Sequence, residues 1–135
     1  MRIPVSGPKA LAGLIRSFAR QYPEEVGHAV YLALERTRTK AVDQTPFLTG
    51  NLRDSLHVTE PEITPGRIKV IIGAGGPGAP YAAAVHERTD VYHKPPTKAK
   101  YLEDPLKEDL PEYPRVIVEI TEKLLRQAGE AARGV

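Results

Sequence analysis

The sequence predicts an α+β fold, with two N-terminal helices and a C-terminal amphipathic helix packed on a small, mainly antiparallel β-sheet built around a hairpin. Three observations predict it. Val26, Ala29, Val30, Ala33, Leu34, Thr37 and Ala41 recur at helical spacing through a long segment ending near Thr45-Pro46. Arg67-Ile68-Lys69-Val70-Ile71-Ile72 reads as a strand whose apolar face is Ile68, Val70 and Ile72. Ile117, Ile120, Leu124 and Ala128 line one face of a helix from about Pro114 to Ala132.

The elements follow in order. Residues 1–7 read as an extended arm. Ser6 suits an N-cap and Pro8 a first helical turn, after which Leu11, Leu14, Ile15, Phe18 and Tyr22 form one stripe. Pro23 ends that helix and opens the next, where Glu24 and Glu25 face the positive end of the helix dipole. Thr49 is placed to cap a short turn over Asn51 to Leu56. Leu56 to Glu60 alternates as a first strand, and Thr64-Pro65-Gly66 supplies the hairpin turn, Pro presetting one position and Gly permitting positive φ at the next. Residues 73–80 and 88–100 are expected to be flexible loops. Tyr81 to Glu87 fits either a short helix or a strand, and a short turn is expected over Leu102 to Leu110. A two-stranded hairpin is marginal in water alone, so the helices must cover its apolar face.

Bulk properties narrow the function. The 135 residues suit one domain. Hydrophobic residues at 41% and charged residues at 27% argue against disorder. A net charge of +2 is too small to imply nucleic-acid binding by itself. The absence of cysteine excludes disulfides, thiolate catalysis and cysteine metal sites. No apolar run reaches the roughly 18 residues that would mark a membrane span, and synthesis in the cytoplasm is expected.

Chemical motifs are weak. Gly73-Ala74-Gly75-Gly76-Pro77-Gly78 matches a dinucleotide-loop pattern, but Pro77 removes a donor and Pro80 discourages the helix whose N-terminus would hold the pyrophosphate. His86, Glu87 and His93 are the candidate metal ligands. Their spacing does not place two histidines on one helical face, so hydrogen bonding is the favoured role. Ser55 and His57 lack a third, orienting group. Glu103 and Asp104 read as ordinary surface charge. The basic residues Arg36, Arg38 and Lys40, and Arg88 to Lys100, read first as solvated faces, and second as sequence-independent phosphate contacts. No cofactor and no catalytic residue is expected.

Three segments carry a resemblance: Thr45-Pro46-Phe47-Leu48-Thr49-Gly50-Asn51-Leu52-Arg53-Asp54-Ser55, then Tyr81-Ala82-Ala83-Ala84-Val85-His86-Glu87, then Lys100-Tyr101-Leu102-Glu103-Asp104-Pro105-Leu106. In this order, with a loop Tyr92-His93 and a final amphipathic helix, the chain resembles a family of tailed-phage minor capsid, neck or tail-completion proteins over residues 36–125. It departs from the pattern at Lys94-Pro95-Pro96, where glycine is usual, and at Pro111 and Pro114, which interrupt the last helix. The resemblance implies a non-enzymatic virion protein at the head–tail junction. Its partners would be further copies of itself in a ring, the tail tube or tail-terminator protein, and a head connector or portal-associated protein. A sixfold ring matches a tail tube and a twelvefold ring a portal. The free subunit is expected to be a monomer. Phe47, Leu48, Tyr81, Tyr92, Tyr101 and Leu102 are then assembly-interface candidates. Arg36, Arg38, Lys40, Lys94 and Lys98 are candidates for DNA contact in the lumen. The alternatives are a tail-terminator ring protein and a small cytoplasmic protein that binds nucleic acid non-specifically.

Overall fold

A computed structural model describes residues 2–6, 13–47 and 50–134, with side chains described from Ile15 onward. The chain runs β1 (Arg2–Ser6), α1 (Gly13–Gln21), α2 (Pro23–Gln44), α3 (Asn51–Asp54), β2 (His57–Val58), β3 (Glu62–Thr64), β4 (Arg67–Gly73), α4 (Ala82–Glu87), α5 (Glu103–Asp109), a 3₁₀ turn (Leu110–Glu112) and α6 (Tyr113–Ala132). The α+β class and the helical cover on an antiparallel sheet are as the sequence predicts. No helix among the described residues is long and apolar enough to cross a membrane.

Strand β4 is the centre of the sheet. It pairs antiparallel with β1 on one side and with β2 and β3 on the other. The N-terminal arm is therefore extended but not free, because Arg2 to Ser6 pairs along β4 from Gly73 to Lys69. Pro4 lies within that strand, and an edge strand tolerates a residue with no N–H to donate. On the other side, Thr64 faces Arg67 across Pro65-Gly66, with Gly66 at φ +76°. That is the positive φ which the turn sequence requires.

The outer strand of this hairpin is broken. Val58 faces Ile72 and Glu62 faces Lys69, so Thr59, Glu60 and Pro61 stand opposite Val70 and Ile71 alone. One extra residue makes a β-bulge. Thr59 repairs the ladder there: its N–H donates to Ile71 O at 2.8 Å, and its Oγ1 accepts the Ile71 N–H at 3.0 Å.

The core lies between α2 and the sheet. Val26, Ala29, Val30, Ala33, Leu34, Thr37 and Ala41 of α2 are all buried, as are Ile68, Val70 and Ile72 of β4. Burying each large aliphatic side chain contributes about 1.5–3 kcal/mol. Gly27 of α2 lets the sheet approach: a Cβ there would stand 3.1 Å from Ile63 Cδ1 and 3.3 Å from Pro61 Cβ. Helix α6 packs beside α2 through Tyr113, Ile117, Ile120 and Thr121. Leu124 is only partly covered and Ala128 is exposed, so the stripe outlasts the core. Pro111 falls in the 3₁₀ turn and Pro114 in the first turn of α6, which accounts for the break between α5 and α6.

The Gly-rich loop is better anchored than its composition predicts. Ala74 and Ala79 are buried in the core, and the Gly75 N–H donates to Ser55 Oγ at 2.9 Å. The segment Tyr81 to Glu87 resolves as helix from Ala82.

Candidate functional site

The second and third segments singled out in the sequence are hydrogen-bonded to each other, and the first is joined to them through flanking residues, Gln44 and Lys98. The Lys100 N–H donates to His86 O at 2.7 Å, and the Tyr101 hydroxyl donates to Ala82 O at 2.8 Å. The Tyr101 and His86 rings meet edge to face, with centroids 5.0 Å apart. The Lys98 N–H donates to Gln44 O at 3.0 Å, covering one of the open carbonyls at the end of α2. The Thr45 hydroxyl donates to Ala41 O at 2.7 Å, and Arg53 Nε donates to Thr45 O at 2.9 Å. Thus the long helix, the short helix α4 and the approach to α5 are tied together at one end of the molecule.

His86 is the centre of this arrangement and is 2% exposed. Its Nε2 accepts the Glu103 backbone N–H at 3.2 Å. A backbone N–H only donates, so the neutral ring carries its proton on Nδ1, which donates to Glu87 Oε1 at 2.8 Å. Lys100 Nζ binds Glu87 Oε2 and lies 3.4 Å from Glu103 Oε2. Hydrogen bonds from Lys100 and then His86 hold the Glu87 carboxyl below its ordinary range, and Glu87 raises Lys100 in return. Lys107, then Lys100, likewise lowers Glu103. Burial pushes the Tyr101 phenol up to about 12.

The candidate metal ligands divide. His86 and Glu87 come together with Glu103, their donor atoms within 4.8 Å of one another, and His93 is not a member of this group. Both ring nitrogens of His86 are already engaged, and the Lys100 ammonium bridges the two carboxylates that a cation would need. The geometry is that of a hydrogen-bonded tie. His93 Nε2 is buried and has no hydrogen-bond partner among the described residues.

The assembly candidates divide too. Tyr101 and Leu102 are fully buried at 0% exposure. They are core residues rather than interface residues, because the motif folds inward onto His86 and Ala82. Tyr81 is partly buried against the core. Phe47 is 62% exposed and lies under the Arg53 guanidinium, 5.1 Å from ring centroid to Cζ. Tyr92 is 82% exposed, with Val91 beside it at 42%. Leu48, and Thr49 with its predicted cap, lie outside the described residues.

Of the candidates for DNA contact, three are ion-paired. Arg38 binds Glu35 at 3.0 Å, Lys40 binds Glu108 at 2.8 Å and Asp109 at 2.9 Å, and Lys98 binds Asp104. Arg36 and Lys94 are exposed and have no ion pair among the described residues.

A second polar cluster, partly buried, lies outside the motifs that the sequence singles out. The Thr37 hydroxyl donates to Asp109 Oδ2 at 2.7 Å, and so accepts from the Tyr113 hydroxyl beside it. Lys40 completes the cluster through Asp109. Hydrogen bonds to Glu108 and Asp109 raise the Lys40 pKa, and burial pushes the Tyr113 phenol up to about 12. The signal was present in the sequence: Thr37 interrupts an apolar stripe, and a buried hydroxyl requires a partner. Glu103, read as surface charge, gave no comparable signal, because its backbone N–H is what holds His86.

No protein-family model, no curated protein and no solved structure matches the chain.

Proposed function

We propose that the chain is a non-enzymatic structural component of a tailed-phage particle, a neck or tail-completion subunit that assembles as a ring between tail and head connector. One observation carries the reading. Two of the segments on which the resemblance rests, Tyr81 to Glu87 and Lys100 to Leu106, are hydrogen-bonded to each other, and the bond from Lys98 to Gln44 ties the residue before the remaining segment, Thr45 to Ser55, alongside them, while loops in and between them hold Phe47, Val91 and Tyr92 out to solvent. Large apolar side chains held at the surface by a rigid base are what a docking surface needs. A structural role also accounts for the tie at His86, whose ligating atoms are consumed internally. In this reading the tail tube or terminator and the connector are the partners. Non-specific contact with DNA falls first to Arg36 and Lys94, the two basic candidates that stand exposed with no ion pair among the described residues.

Electron microscopy of purified particles, labelled with an antibody fragment against this chain, tests the proposal. Label at the head–tail junction is the expected result. No label on intact particles, with the epitope shown to be accessible after disruption, overturns it. Salt-sensitive DNA binding by the isolated protein would then favour the nucleic-acid-binding alternative.

A further inference from the structure

A cleft of about 520 Å³ opens between α1 and the β3–β4 turn. Its floor is apolar, with Ile63, Pro65 and Ile68, and its rim holds Arg16, Arg20 and Arg67. Arg16 and Arg20 are one helical turn apart on α1 and so project along the same side. No carboxylate lines the cleft, and none of the three arginines has an ion pair among the described residues. Such a site selects an apolar anchor framed by negative charge, because guanidinium groups pair with carboxylates in a two-pronged geometry.

Among the described residues, four large apolar side chains are exposed: Phe47, Val91, Tyr92 and Leu110. Phe47 is covered on one face by Arg53. Val91 and Tyr92 stand in a loop whose one acid, Asp90, is paired with Arg88, and whose His93 and Lys94 the rim would repel. Leu110 alone is framed by acids, with Glu108 and Asp109 before it and Glu112 after it. It lies 41% exposed at the 3₁₀ turn, where Pro111 stiffens the chain. Glu108 and Glu112 are about two-thirds exposed and engage only Lys40 and Arg115 at the surface. Exposed pairs of this kind contribute little, about 0–1 kcal/mol, and exchange readily.

We infer that the Arg16–Arg20–Arg67 cleft of one copy receives the Leu110-Pro111 turn of a second copy. Cleft and turn share no residue, so the contact is head to tail, and repeating it closes a ring or extends a chain. The inference rests on the self-assembling reading above and supplies a contact between copies for it.

The chain has no cysteine, so Thr64→Cys at the cleft and Pro111→Cys at the turn each introduce a single thiol into the full-length protein. The two variants are mixed under mild oxidation at low salt. A mixed disulfide dimer is expected, with its yield falling at least tenfold at high salt or when the Thr64→Cys chain also carries Arg20→Glu and Arg67→Glu. Adding Glu108→Arg and Glu112→Arg to the Pro111→Cys chain is expected to restore it. Every changed position is exposed, and circular dichroism checks that each variant folds. Absence of the mixed dimer overturns the inference, as does equal yield when Thr39→Cys replaces Thr64→Cys. Label at the head–tail junction without this cross-link leaves the neck reading standing and removes the interface. The cross-link without that label does the reverse.

Discussion

Two polar clusters hold this molecule together, and they act on different kinds of chain. The Thr37–Asp109–Tyr113 cluster joins α2 to the α5–α6 corner. The long helices it joins are stabilised by their own ladders and by apolar packing, so the hydrogen bonds fix how the rods align. The His86–Glu103–Tyr101 cluster joins a six-residue helix to the start of α5 and the irregular stretch before it. There the side chains take the place of secondary structure. The lesson is that a hydrogen bond of ordinary strength matters more where little else orders the backbone.

The largest effect strikes both clusters at once. Burial keeps the Tyr101 and Tyr113 phenols protonated to about 12, against about 10 in an unfolded chain. The folded state therefore holds protons that the unfolded state releases. Their stabilisation is whole below about pH 10 and is lost as pH rises toward 12. Tyrosinate absorbance and circular dichroism should change together in that window. Ionisation of both phenols without unfolding would break the comparison.

Removing Tyr101 should come next. Its side chain is fully buried, and Tyr101→Ala should cost about 3–5 kcal/mol in urea unfolding. His86→Ala removes the acceptor of the Glu103 N–H and should cost about 1–3 kcal/mol. Hydrogen exchange in that variant should accelerate first over residues 98–103, with α2 still protected. Uniform acceleration would mean that the cluster does not act locally. Tyr113→Phe should cost less, about 1 kcal/mol, because Thr37 keeps Asp109 and the helices keep their packing. A loss equal to that of His86→Ala would erase the distinction. Smallest is Phe47→Ala, which should leave stability within about 0.5 kcal/mol and, under the proposed structural role, weaken attachment to particles. A large loss of stability would instead assign Phe47 to the fold through Arg53.

The same contrast explains what the sequence made legible. All seven residues of the α2 stripe are buried, and alternation along β4 sets Ile68, Val70 and Ile72 on the inner face. Periodicity reports burial in regular elements. It has nothing to say about Tyr101 and Leu102, which follow a polar loop, so their motif suggested an interface when they are core. Strand β1 escaped because Pro4 argues against a strand, and only pairing with a distant segment makes it one. The Gly-rich loop looked unanchored because Ala74 and Ala79 are small enough to be overlooked as core. At the candidate site, the adjacency of His86 and Glu87 was visible, whereas the Glu103 N–H depends on how the chain returns.

The two margins of the sheet are interrupted in different ways. One carries Pro4, and the other is broken by the bulge at Thr59 to Pro61. Together they deny a neighbouring chain an unbroken row of amides to pair with. Pairing between the edge strands of separate chains is thereby discouraged. A contact made at either margin would have to be built from side chains instead.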